Sequence, residues 1–204
     1  MVKISKEAGA EQRILEAAKK VFIQNGLAGA RMQDIADEAG INKAMLHYYF
    51  RSKDKLFEMI FKEAAANLFP KMVAIISEDI PLFDKIRRFT KEYLEIIIEN
   101  PYLPLFVLNE IHKQPVNFHA KMFGSKPPDM SILVRQIESE VKKGIIKPIS
   151  PVQLVMNMMS MCVFPFISKP MLQIVMHIDD LQFRYLMEQR KTEIANFIID
   201  SIKK

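Results

Sequence analysis

The sequence predicts an all-α fold, a small three-helix head followed by a larger helical body. Three observations carry this. Apolar residues recur at three- and four-residue spacing along nearly the whole chain. Glycine occurs only six times in 204 residues, which favours regular helix over turn-rich sheet. No alternating strand pattern, internal repeat or low-complexity tract competes with that reading.

The first helix is expected over Ala10 to Asn25, where Ile14, Leu15, Ala18, Val21 and Phe22 form one apolar face and Gly26 supplies the stop. Two short helices follow, Met32 to Ala39 and Lys43 to Phe50, separated by Gly40-Ile41-Asn42. Ser52 is a candidate cap for a long helix carrying Leu56, Phe57, Ile60 and Phe61, with Pro70 as the expected point of bending. Further helices are expected at Leu82 to Asn100, Pro101 to Lys113, Asp129 to Lys143, Pro151 to Ile167 and Asp179 to Lys203, with a shorter one near Pro170 to His177. Ser150 before Pro151 reads as a hydroxyl cap with proline in the first turn. Gln114 to Pro128 is the one long irregular connection.

Global charge does not locate a functional face. The chain carries +5 overall, split as +2 over residues 1–67 and +3 over the rest. Locally, Lys43, Arg51, Lys53 and Lys55 against Asp54 concentrate positive charge as a phosphate footprint requires. Cys162 is the only cysteine, so an intrachain disulfide and a thiolate cluster are both excluded, and a reducing cytoplasm fits. The N-terminal stretch lacks the apolar core of a secretory signal, and the apolar run Val152 to Ile167 is too short and too interrupted to span a bilayer. No membrane partner is expected.

Met32 to Phe50 meets the steric demands of a helix-turn-helix. Ala36 supplies the small residue where two steeply crossed helices touch, and Gly40 supplies the turn. Ile35, Ala39, Ile41, Leu46 and Tyr49 then make the apolar seam, leaving Asn42, Lys43, Ala44, Met45, His47 and Tyr48 to face outward into a major groove. Asn42 can address adenine and Lys43 guanine; Ala44 permits close backbone approach. Tyr48, His47 and Lys53 suit phosphates. Arg31, Met32 and Gln33 complete the candidate DNA-binding set.

The run from Ile35-Ala36 through Ala39-Gly40-Ile41, Leu46 and Tyr49-Phe50 to Ser52-Lys53 and Leu56-Phe57, preceded by Ile14-Leu15, Ala18, Phe22 and Gly26, resembles the N-terminal domain of the TetR family of transcription regulators. The resemblance covers roughly residues 10–67. It implies a DNA-binding domain at 8–67, with its helix-turn-helix at about 31–50, and an effector-binding and dimerisation domain at 68–204. It also implies a homodimer on a palindromic double-stranded operator, a four-helix dimer bundle built from the last two long helices, and a small-molecule pocket enclosed by the middle helices. Three positions depart from the family pattern. Arg31 replaces a capping Thr or Ser, so that another group caps the helix or Arg31 serves a phosphate; Ala44 replaces Gly; His47 replaces Tyr.

For the effector, the expected residues are Phe106, Asn109, Glu110 and His119 near the irregular connection, with Asn157, Met161 and Phe164 on the methionine-rich helix. Methionines at helical spacing fill cores and adaptable interfaces, and the four histidines lack zinc spacing, so neither metal nor cofactor is expected. No phosphate loop, nucleophile elbow or other catalytic signature is present, which argues against an enzyme. The rival reading is a helical small-molecule-binding protein or enzyme that binds no operator.

Overall fold

The computed structural model describes residues 2–113 and 129–204, with the side chains of residues 2–8, Glu110 and Lys113 outside that description. Ten helices occur among the described residues. They fall into two compact units, and the chain passes from one to the other between Ala65 and Ala66, inside the fourth helix.

The first unit contains α1 (Val2–Gly29), α2 (Met32–Glu38), α3 (Lys43–Tyr49) and the first half of α4 (Lys53–Ser77). Helix α1 starts well before Ala10, because Gly9 alone weakens a helix without stopping it. Its helical path is interrupted where expected: Gly26 has φ 66° and ψ 172°, a left-handed value that only glycine takes without strain. Ile14, Ala18, Phe22, Ile35, Leu46, Leu56 and Ile60 form the buried centre, and Phe22 meets Phe57 edge-on at 5.0 Å between ring centroids. Ser52 caps α4 as expected, its Oγ accepting the Lys55 N–H at 3.2 Å. The helix continues through Pro70 to Ser77.

The second unit continues α4 and adds α5 (Leu82–Glu99), α6 (Leu103–Lys113), α7 (Ser131–Lys142), α8 (Pro151–Ile167), α9 (Lys169–Met176) and α10 (Asp180–Ile202). Helix α5 packs along α10, and α8 packs against α5, α6, α7 and α10. Ile86, Leu94, Ile97, Ile137, Leu154, Cys162, Ile194 and Ile198 make its core.

Asp179 caps α10 reciprocally. Its Oδ1 accepts the Gln182 N–H at 2.8 Å, and Gln182 Oε1 accepts the Asp179 N–H at 2.9 Å. Ser150 behaves differently from expectation: it stands at the cap position, with Pro151 in the first turn, but its hydroxyl makes no cap hydrogen bond. The expected irregular connection Gln114 to Pro128 lies outside the described residues. No single helix among the described residues is long and apolar enough to cross a membrane.

Candidate nucleic-acid interface and cavity

The turn between α2 and α3 is fixed by backbone bonds. The Gly40 N–H donates to Asp37 O at 3.1 Å and the Ile41 N–H to Ala36 O at 3.0 Å, with Gly40 at φ 66°. This brings the next helix round so that Leu46 is fully buried while Asn42, Lys43, Ala44, Met45, His47 and Tyr48 are all exposed. Tyr48 is 78% exposed and meets Tyr49 edge-on. Ile35 and Ala36 are buried; Ala39, Ile41 and Tyr49 are half-buried, so the expected seam and the expected outward face both form.

Several expected DNA ligands already have work inside the unit. Asn42 caps α3, its Oδ1 accepting the Met45 N–H at 2.7 Å; two-point recognition of adenine would draw on that same oxygen. Lys53 Nζ donates to Ala30 O at 3.0 Å and Ala28 O at 3.4 Å, holding the chain that leads into α2. Gln33 Nε2 donates to Asp37 Oδ1 at 2.8 Å. Met32 is half-buried.

The departure at Arg31 is accounted for. Its guanidinium caps nothing; instead Asp34, three residues into α2, accepts the Arg31 N–H on Oδ2 at 3.2 Å. A carboxylate in the first turn also suits the positive end of the helix dipole. The arginine side chain is left exposed, with no hydrogen-bond or ion-pair partner among the described residues.

Among the cations of this unit that lie away from the reading helix and have described side chains, all but Arg13 are paired with a carboxylate. Lys19 is paired with Glu63, Lys20 with Glu38 and Lys62 with Glu58. Arg31, Lys43, Arg51 and Lys55, around the reading helix, have no carboxylate partner among the described residues.

In the second unit α4 to α8 surround a cavity of about 480 Å³. Its wall is apolar, with Leu68 and Met72 from α4, Phe89 from α5, Leu103 and Leu108 from α6, and Met158 and Val163 from α8 among the residues that line it. Lys85 and Tyr93 of α5 and Ser160 of α8 contribute its polar side chains.

None of the expected effector residues with a described side chain lines this cavity. Helix α6 turns Pro104, Val107, Leu108 and Ile111 to it rather than Phe106 or Asn109; helix α8 turns Leu154, Val155, Met158, Met159 and Val163 rather than Asn157, Met161 or Phe164. Phe164 is exposed, as is Asn157. His119 and the Glu110 side chain lie outside the described residues. His112 Nδ1 donates to Leu108 O at 2.7 Å and is exposed.

Residues 14–60 match the family model described as bacterial regulatory proteins, tetR family. Relatives over longer spans agree. The chain is 27% identical over 150 residues to the HTH-type transcriptional regulator RutR of Escherichia coli strain K12, covering 71% of this chain and 68% of the relative. The chain is thus similar to TetR-family transcription regulators, most specifically over residues 14–60. The fold is similar to that of solved regulators: the ketosteroid transcriptional regulator KstR2 of Mycobacterium tuberculosis superposes with a TM-score of 0.68 at 16% identity, covering 95% of each chain. HlyIIR, a hemolysin II transcriptional regulator, superposes with a TM-score of 0.60 at 24% identity, covering 97% of this chain and 98% of that one. The helix-turn-helix formed by α2 and α3 lies inside the matched residues 14–60.

Proposed function

We propose that the protein is a ligand-responsive repressor that binds a palindromic operator as a homodimer and is released from it by a small molecule. The observation that carries the reading is the α3 surface: Lys43, Ala44, Met45, His47 and Tyr48 exposed on a helix anchored by buried Leu46, within a rim of unpaired Arg31, Arg51 and Lys55. Exposed backbone and side chains of this kind enter a major groove, and unneutralised cations beside them hold phosphates. Lys43 reads base edges, while Arg31, Arg51 and Lys55 position the head. Asn42 acts first as the cap that aims α3.

Dimerisation is supported by apolar side chains left in solvent on the last long helices. Leu181 is 80% exposed, and Tyr185 and Phe197 on α10 and Val152, Met156 and Phe164 on α8 are also exposed. Apolar surface gathered on two packed helices marks an association site. A two-fold axis through it presents two identical reading helices, hence a palindromic operator.

The cavity is the effector site. Its volume falls within the range of about 300–1,000 Å³ usual for small-molecule pockets. Helix α4 supplies Lys53 at one end and the lining residues Leu68, Met72 and Ile76 at the other, so a ligand that favours one setting of α4 biases the head.

Operator selection from a random DNA pool with the purified protein, repeated with a small-molecule library, tests this. An enriched palindrome, no longer recovered with a particular compound, is expected. Enrichment of no palindrome overturns the reading.

A further inference from the structure

We propose that the cavity takes an elongated, mainly apolar molecule bearing one carboxylate-type end, with Lys85 as its counter-ion. This rests on the reading of the cavity as the effector site.

Lys85, Phe89, Tyr93 and Ile97 fall four residues apart on α5 and line the cavity as one stripe. Lys85 is only 3% exposed and Tyr93 only 7%. Ser160 is exposed, so Lys85 and Tyr93 are the buried polar residues among those that line the cavity. Eight residues of helix separate them, a rise of about 12 Å. The surface between and around them is hydrocarbon.

An ammonium in such a place costs desolvation energy unless its N–H groups are used. Lys85 Nζ donates one hydrogen bond, to Ile76 O at 2.8 Å, where the ammonium also suits the negative end of α4. Two N–H groups remain. The carboxylates that act on it, Asp79 and Glu78, both sit in solvent, and Glu78 is already paired with Arg88. Burial outweighs them, pulling the Lys85 pKa below the usual lysine value. A carboxylate brought in by a ligand would meet the ammonium away from water, where a charge-assisted hydrogen bond is strongest.

The Tyr93 hydroxyl has no hydrogen-bond partner among the described residues. It offers a ligand a second polar contact about 12 Å along the stripe. Structural capping of α4 explains the Ile76 hydrogen bond of Lys85, but not why the same side chain lines an otherwise apolar cavity in line with an unpartnered phenol.

The test uses the full chain and matched pairs of probes: octanoate, dodecanoate and hexadecanoate against their methyl esters, with binding followed by calorimetry. At least one acid should bind one per chain, about tenfold or more tighter than its ester. Lys85→Met should abolish that preference while leaving ester binding intact, and Lys85→Arg should retain it.

Acid and ester binding equally would overturn the anion-binding role while leaving the cavity as the effector site. So would a Lys85→Met variant that keeps the preference. If neither acid nor ester binds, the ligand class proposed here falls, and the effector-site reading is decided by the operator selection with the compound library. The comparison within the unaltered protein holds even if removing the hydrogen bond to Ile76 prevents Lys85→Met from folding.

Discussion

Lys53 Nζ lies 3.0 Å from the carbonyl oxygen of Ala30, so the first residue of α4 pins the last residues before α2. Lys53→Met keeps the aliphatic stem and removes both hydrogen bonds to main-chain carbonyls. With a net hydrogen bond worth about 0.5–1.5 kcal/mol, thermal unfolding should show the head destabilised by roughly 1–2 kcal/mol. DNA affinity should fall on specific and random sequences alike. A variant with unchanged unfolding would make the interaction incidental.

Asn42 should act through its cap. Asn42→Ala is expected to cost about 0.5–2 kcal/mol of stability, whereas Asn42→Ser, which can still accept the Met45 N–H, should recover most of it. Operator binding should follow the same order. Serine restoring stability but not base preference would make Asn42 a direct reader.

Arg31 and Asp34 divide two tasks. Arg31→Ala should leave stability within about 0.5 kcal/mol, since the side chain caps nothing. It should reduce the slope of log affinity against log salt by about 0.9 for each phosphate that Arg31 neutralises. Asp34→Ala should show the reverse pattern, a stability loss of about 0.5–2 kcal/mol, read by chemical denaturation.

Cys162 is fully buried, and burial pushes its thiol up to about 12, with nearby Arg190 offsetting only part of the shift. A thiol-reactive dye at pH 8 should therefore label it only on unfolding. The unfolded thiol ionises near 9.0, below the folded one, so this group's contribution is complete below that pH and is lost as pH rises towards about 12. Cys162→Ala should show a shallower decline in stability over that window.

Leu181→Glu places a charge on the most exposed large apolar side chain of α10. Sedimentation should show a dimer for the unaltered chain and a monomer for the variant, with operator affinity abolished and far-ultraviolet circular dichroism unchanged. A variant that remains dimeric would move the interface elsewhere.

The head was legible in the sequence because its constraints are local. Gly26 and Gly40 mark the two turns, and Leu46 with Ile35 marks the seam. The cavity was legible only to the level of the helix. On α8 apolar residues surround the axis, so periodicity does not separate Met158 on the cavity from Met156 in solvent. The expectation favoured polar side chains such as Asn109 and Asn157, while the wall is hydrocarbon. Neighbouring residues point about 100° apart on a helix, so Val107 lines the cavity while Phe106 does not. Lys85 had a readable signal: a lysine in register with Phe89, Tyr93 and Ile97 on an otherwise apolar stripe. Lys53 had none, because its acceptors are main-chain oxygens some two dozen residues away.

The inward cap on α2 has an evolutionary consequence. With Asp34 securing the start of that helix, position 31 is released from any duty to the fold. It becomes a site where an arginine can be gained, exchanged or dropped at little folding cost, and a lineage can raise or lower its overall grip on DNA there while its scaffold stays intact.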